Sequence, residues 1–214
     1  MDVRLYSYRY SVYSRIARMV LHVKQVPHEI VEVDPFADLP DAYLARHPFG
    51  RVPVLGHGAF SVYETGAITR YVDRSFGGLS LQPADPAALA SMDQVIAIID
   101  SYGYVPLVRQ VFSHSVFRPL MGVESDPELV KTGLDGSRRV LAALEEVSQA
   151  GKVLTGRDLT LSDCHLVPMI DYFLCAEAGQ KMFADFPCLS RWWEWMSTHA
   201  VMGATDPDLS RLKR

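Results

Sequence analysis

The sequence predicts a mixed α/β unit over residues 1–78, a linker at 79–86 and an all-helical unit over 87–214. Three observations predict it. β-type segments alternate with helical ones only before residue 80. The stretch GGLSLQPADPAAL at 77–89 is punctuated by glycine and proline. Beyond it, strand patterns largely disappear and long segments with helical character take over.

Each element has its own justification. VRLYS at 3–7 reads as a first strand, and 13–24 as a helix with Ile16, Met19, Val20 and Val23 on a broadly apolar face. Ile30, Val31 and Val33 suit a second strand over 28–33. A short helical stretch at 41–46 leads into the turn HPFGR. Residues 52–55 and 60–63 read as short strands separated by Gly56-His57-Gly58, a hairpin signal. A helix over 65–74 places Ile68 and Val72 four apart. In the second unit, helices are expected over 87–114, 126–149, 162–178 and 187–198.

Composition narrows the function classes. Apolar residues make up 49% and charged residues 21%, the balance of a chain able to bury a core. A net charge of −4 gives no electrostatic reason to expect nucleic acid. Cys164, Cys175 and Cys188 are odd in number and form no C-x-x-C, so neither a disulfide framework nor a cysteine zinc site is expected, and the compartment is read as reducing. The N-terminus lacks an uninterrupted apolar segment of signal type, and no apolar run reaches membrane-spanning length. A cytoplasmic protein without a membrane partner is the expectation. The seven histidines are scattered without metal-ligand spacing, and no metal is expected. Neither G-x-G-x-x-G nor a phosphate-loop motif occurs.

The remaining candidates each carry a structural and a functional reading. In 46–55, RHPFGRVPVL, Pro53 stands at a strand entrance where its missing N–H is awkward, and Val52–Pro53 is a candidate cis bond. Such a turn is either ordinary or leaves the Val52 main chain free to pair with an extended ligand. In Tyr63-Glu64-Thr65-Gly66, Thr65 is either a plain helix cap or joins the helix N–H groups in holding a carboxylate, with Glu64 receiving an ammonium. The first strand-to-helix turn, SYRYSVYSR at 7–15, is crowded with hydroxyls. Ser11 and Ser14 are either caps or donors to a bound thiolate. In GRDLTLSD at 156–163, Thr160 and Asp163 read as a capping box with Leu159 as its staple, a structural role. Trp192 and Trp195, three apart, are expected to share a buried face.

Taken in order and spacing, the turn at 3–23, HPFGRVPVL at 47–55, YETGAITRYV at 63–72 and GRDLTLSD at 156–163 resemble the glutathione transferase family over essentially the full chain, closest to its serine-type, phi-like branch. The resemblance implies a thioredoxin-like first domain with a mixed four-stranded sheet and an all-helical second domain. It implies that Ser11 holds the thiolate of glutathione, the co-substrate. Ser14 is the nearby alternative, and Tyr8, or its neighbours Tyr6 and Tyr10, the activator if the alignment of the turn shifts. Val52, before cis-Pro53, would pair with the cysteinyl part, and Glu64 and Thr65 would bind the γ-glutamyl end. Phe112, Phe117, Leu120 and Met121 lie where the family supplies a surface for a small hydrophobic electrophile. A homodimer is implied as well.

Departures are also visible. His47 stands in place of the usual asparagine and Arg51 in place of glutamine or lysine, Gly66 replaces a familiar arginine or alanine, and 34–46 is short and lacks a basic pair. The glycyl carboxylate is left to Arg51 or to another residue. Peroxide reduction, isomerisation and dehalogenation use the same thiolate, and a noncatalytic binding module on the same fold is the reading from a different class.

Overall fold

Alternation along VRLYS buries Val3, Leu5 and Ser7 and turns Arg4 and Tyr6 to the opposite face, making β1 (Val3–Ser7) the strand around which the sheet is built. The computed structural model describes residues 2–213. β1 pairs in parallel with β2 (Glu29–Glu32) and antiparallel with β3 (Val54–His57), and β3 pairs antiparallel with β4 (Phe60–Tyr63). The order is β2-β1-β3-β4, the mixed four-stranded sheet the sequence led us to expect. Its parallel pair needs a crossover, supplied by α1 (Val12–Val23) with Ile16, Met19 and Val20 fully buried.

The remaining elements of this unit are α2 (Asp41–Leu44) and α3 (Thr65–Ser75). Tyr43 is the buried residue of α2, and Ile68 and Val72 are fully buried on α3. Two details differ from the sequence reading. Gly56 and His57 belong to β3, and the connection is Gly58-Ala59 alone, because His57 pairs with Phe60. Gly58, at φ +59°, adopts the left-handed conformation that such a tight connection favours. Strand structure begins at Val54 rather than Val52.

Two compact units result: residues up to 81 together with Ala200–Pro207, and Gln82–His199 with the stretch from Asp208. The return of 200–207 to the first unit differs from the single division drawn along the sequence. Its helix α10 (Ala200–Ala204) packs against α1 with Val201 fully buried. A buried ion pair ties the end of the first unit together. Lys24 Nζ donates to Asp73 Oδ1 (3.1 Å) and to the Leu79 carbonyl (2.8 Å), while the Leu81 N–H donates to the same Asp73 oxygen (2.9 Å).

In the second unit, Asp85 caps α4 (Pro86–Ile98), accepting from the Ala88 N–H at 2.8 Å. The expected 87–114 helix is in fact two, Pro86–Gly103 and Val105–Leu120, meeting at 49°, with wider π-type turns over Ile99–Gly103 and Val105–Phe117. The last turn, Arg118–Leu120, is α5. No single helix among the described residues is long and apolar enough to cross a membrane. α6 (Pro127–Gln149) lies close against 105–117 because Gly133 and Gly136 face it; a Cβ on Gly133 would meet Gln110 Cβ at 2.6 Å. The two glycines of TGLDG are therefore packing positions.

α7 (Leu161–Leu174) is buried along nearly its whole length. Its capping box forms, with Asp163 Oδ2 accepting from the Thr160 N–H (2.8 Å) and hydroxyl (2.6 Å). Trp192 Nε1 donates to the other carboxylate oxygen at 2.7 Å. Burial pushes the Asp163 carboxyl up from its usual range, against the opposing effect of these bonds. The expected 162–178 helix breaks after Leu174. α8 (Glu177–Phe183) follows, with Gly179 so close to the Phe173 carbonyl that a Cβ would lie 2.2 Å from it. On α9 (Pro187–Ser197) the buried face is Leu189, Trp192 and Met196, while Trp195 is half-buried, because the Asp163 bond draws Trp192 inward. Glu145 of α6 accepts the Cys188 and Leu189 N–H groups at 2.8 and 2.9 Å, which supplies the cap that the α9 sequence lacks.

Removing one member of a buried, hydrogen-bonded ion pair leaves an uncompensated charge. Lys24→Ala is therefore expected to lower unfolding stability by about 3–5 kcal/mol in urea titrations, and a loss comparable to that of an exposed lysine substitution would refute the clamp.

Candidate active site

The sheet register brings the three candidate loops together. Tyr6 lies opposite Val54, and Val54 opposite Tyr63. The loop leaving β1, the loop entering β3 and the corner leaving β4 therefore share one end of the sheet. Tyr8 and Tyr63 both pack against a cluster of Tyr43, Val52 and Val54, so side chains from all three loops meet there.

In the first loop, Ser11 is the N-cap of α1. Its Oγ accepts the Ser14 N–H at 3.2 Å, and its own N–H donates to the Tyr8 carbonyl at 3.1 Å. Ser14 is fully buried, with Oγ accepting the Tyr8 N–H at 3.2 Å. The two serines thus divide the work of the turn: Ser14 locks it from inside, and Ser11 is half-buried at the helix start with its hydroxyl proton still available for donation. Burial raises the Tyr8 phenol pKa, and Asp34, Tyr10 and Glu32 add to the rise. Its ring meets those of Tyr10 and Phe36 edge-on, at 5.6 and 5.9 Å.

The second loop is a turn closed by the Gly50 N–H donating to the His47 carbonyl at 2.9 Å, with Gly50 at φ +59°. Val52–Pro53 is cis, as the sequence led us to expect. Neither the N–H nor the C=O of Val52 has a hydrogen-bond partner among the described residues. Arg51 is exposed, and its carbonyl accepts the Tyr43 hydroxyl at 2.6 Å.

At the third corner, Glu64 rather than Thr65 takes the N-cap position of α3, and no side chain caps that helix. Thr65 is the first helical residue, 7% exposed. Its hydroxyl and the N–H groups of Thr65 and Gly66 make no hydrogen bond among the described residues. Glu64 itself sits at φ +69°, ψ 119°, a conformation that costs a non-glycine residue about 1–3 kcal/mol and recurs at functional positions. Donors at a helix start beside an exposed carboxylate suit a zwitterion, which offers a carboxylate to the N–H groups and an ammonium to Glu64.

His47, at the start of the second loop, packs against the third. It is 3% exposed, its ring centroid is 4.7 Å from that of Tyr63, and its Nδ1 is buried without a partner. Burial holds its imidazole below the usual histidine range; Arg51 adds to that effect and Glu64 opposes it. The sequence marked His47 only as a departure, and Tyr43 and Tyr63 carried no signal beyond their aromatic character.

The remaining candidates belong to the helical unit. Phe112 is 3% exposed and stacks on Tyr172 at 4.1 Å, so it fills the core and does not present a ligand surface. Phe117 and Leu120 are half-buried, and Met121 is 50% exposed just after α5.

A histidine whose folded pKa is depressed contributes stability that is present above the unfolded value and lost as pH falls towards the folded one. The urea midpoint of the native chain is therefore expected to drop more steeply from about pH 7.5 to about pH 5.5 than that of His47→Asn. Parallel profiles would show that His47 is not buried in its neutral form.

Known proteins resemble this chain in sequence and fold over nearly its whole length. Residues 5–80 match the family model "Glutathione S-transferase, N-terminal domain" and residues 101–200 match "Glutathione S-transferase, C-terminal domain". Glutathione S-transferase F13 of Arabidopsis thaliana is 27% identical, over 98% of this chain and 97% of its own length. A glutathione S-transferase of Hyoscyamus muticus is 27% identical, over 80% of this chain and 82% of its own length. The solved structure of glutathione S-transferase III in its apo form superposes with a TM-score of 0.84 at 27% identity, covering 98% of this chain and 97% of that one. Maize glutathione S-transferase I in complex with an atrazine glutathione conjugate shares the fold, with a TM-score of 0.81 at 21% identity, covering 100% of this chain and 98% of that one. With both family domains matched in order, and a sheet and helical unit of the same architecture, the chain belongs to the glutathione S-transferase family.

Proposed function

We propose that this protein conjugates the thiolate of glutathione to a small hydrophobic electrophile, with the Ser11 hydroxyl as the hydrogen-bond donor to the thiolate. The observation that carries the reading is the set of uncommitted polar groups at one end of the sheet: the Ser11 hydroxyl proton, the Val52 main chain, and the Thr65 hydroxyl with the α3 N–H groups. They match an extended peptide with a thiol at its centre and a zwitterion at one end.

In this reading, Glu64 receives the γ-glutamyl ammonium and Thr65, with the α3 start, its carboxylate. Val52 pairs with the cysteinyl main chain, and Arg51 serves the glycyl carboxylate. Ser11 donates a hydrogen bond to the sulfur while its oxygen accepts from the Ser14 N–H, so the hydroxyl is already oriented when the thiol loses its proton to solvent. The sulfur lone pair then forms a bond to an electrophilic carbon. In a displacement the leaving group takes the bonding pair; in an addition the carbon skeleton takes it and is protonated. Positioning and a poised nucleophile account for the acceleration.

Serine is favoured over tyrosine by its place at the start of α1, where helix N–H groups favour an anion, and by the Ser14 N–H that already orients its oxygen. Ser14 is disfavoured because it is fully buried. The electrophile is assigned to Phe117, Leu120 and Met121, an apolar and adaptable set. Conjugation of this kind suits detoxification in the cytoplasm, and a homodimer is the proposed assembly, for which sedimentation at micromolar concentration is expected to return twice the chain mass.

Removing a single preorganised donor to a developing anion costs about 10²–10³-fold in turnover in comparable sites. Ser11→Ala is expected to lower conjugation of a model aryl halide by about that factor, while Tyr8→Phe stays close to the native rate. A selective loss in Tyr8→Phe would transfer the role to tyrosine, and no glutathione binding at millimolar concentration would refute the reading.

A further inference from the structure

Tyr43 lies on α2, outside the three loops, yet it holds the second one at both ends. Its carbonyl accepts the Arg46 and His47 N–H groups at 2.8 and 3.0 Å. Its hydroxyl, on a side chain packed with Val52 and Val54, donates to the Arg51 carbonyl at 2.6 Å, short for a bond of this type. Tyr43 is 6% exposed, with the Tyr6 ring 6.0 Å away. α2 is a single turn without a side-chain cap, so this residue is its main attachment.

The consequence lies in the peptide that follows. The Arg51–Val52 bond is trans, since Val52–Pro53 is the cis bond of the described residues. In a planar trans peptide the C=O and the N–H point in opposite directions. Holding the Arg51 carbonyl toward Tyr43 therefore directs the Val52 N–H away from the Tyr43 hydroxyl, where it has no partner among the described residues. A hydrogen bond to the carbonyl also polarises the amide and strengthens its N–H as a donor.

We propose that Tyr43 is a positioning residue whose hydroxyl sets the orientation of the Arg51–Val52 peptide, so that the Val52 N–H is presented to the cysteinyl carbonyl of glutathione. This rests on the reading of Val52 as a main-chain partner of glutathione. Burial, with a smaller effect from Tyr6, pushes the Tyr43 phenol up to about 12, so it remains a donor at neutral pH.

Tyr43→Phe keeps the ring and removes the donor. Glutathione titration of the full-length chain, by steady-state kinetics and by direct binding of S-methylglutathione, is expected to show KM and Kd raised about three- to tenfold, with turnover at saturating glutathione unchanged. The Val52 amide resonance is expected to move in the free variant and to need correspondingly more S-methylglutathione to reach its bound position. A merely structural tyrosine would lower the thermal midpoint without this split. Unchanged KM, or a loss confined to turnover, overturns the assignment of Tyr43. Failure of the native chain to bind either compound is seen before any substitution and overturns the underlying reading of the site, and this inference with it.

Discussion

Both the core and the site depend on the register in which β3 lies against β1. Val54 and Leu55 are each fully buried because the sheet is covered on both faces there. Leu55 pairs with Leu5, while Val54 joins Val52 and Tyr43 on the other face. Side chains alternate, so a slip of one residue would exchange these two environments and carry every loop attached to β3 with it. The row Tyr6, Val54, Tyr63 would be lost, and with it the meeting of the first turn, the Val52 peptide and the Glu64 corner. Packing, in other words, sets the position of groups that are themselves polar and uncommitted.

The same economy recurs where helices begin. α7 is capped by a carboxylate from its own first turn, which also binds an indole from α9. α9 has no cap of its own and borrows Glu145 from α6. α1 is capped by Ser11, and α3 has no side-chain cap. α2 and α8 lack side-chain caps as well, so what sets the open start of α3 apart is the strained Glu64 beside it, a combination that makes it a candidate site.

Much of this was legible in the sequence, for identifiable reasons. Alternation in VRLYS and the four-residue spacing of Ile16 and Val20 are consequences of burying one face, and burial is what periodicity records. Pro53 advertised its unusual bond through its position. Other features left no such trace. Gly56 and His57 look like turn residues yet pair in a strand, because backbone pairing outweighs weak local preference. Glutamate gives no hint of a positive φ, so the sequence marked the Glu64 corner by its residues but not by its backbone conformation. Phe112 has the chemistry of a ligand wall and the burial of a core residue, and only its stacking on Tyr172 decides between them. The Tyr43 hydroxyl acts on a carbonyl eight residues away, a relation no residue pattern encodes.

The return of Ala200–Pro207 to the first unit bears on how the chain is made. α10 covers part of α1, yet residues 82–199 are synthesised between them. At roughly 5–20 residues per second, translation of that interval leaves the α1 surface without α10 for about 6–24 s. During that time the segments of the sheet have been synthesised while part of the apolar cover of α1 has not. The order of synthesis thus delays closure of the first unit until residues 200–207 have followed the intervening helices.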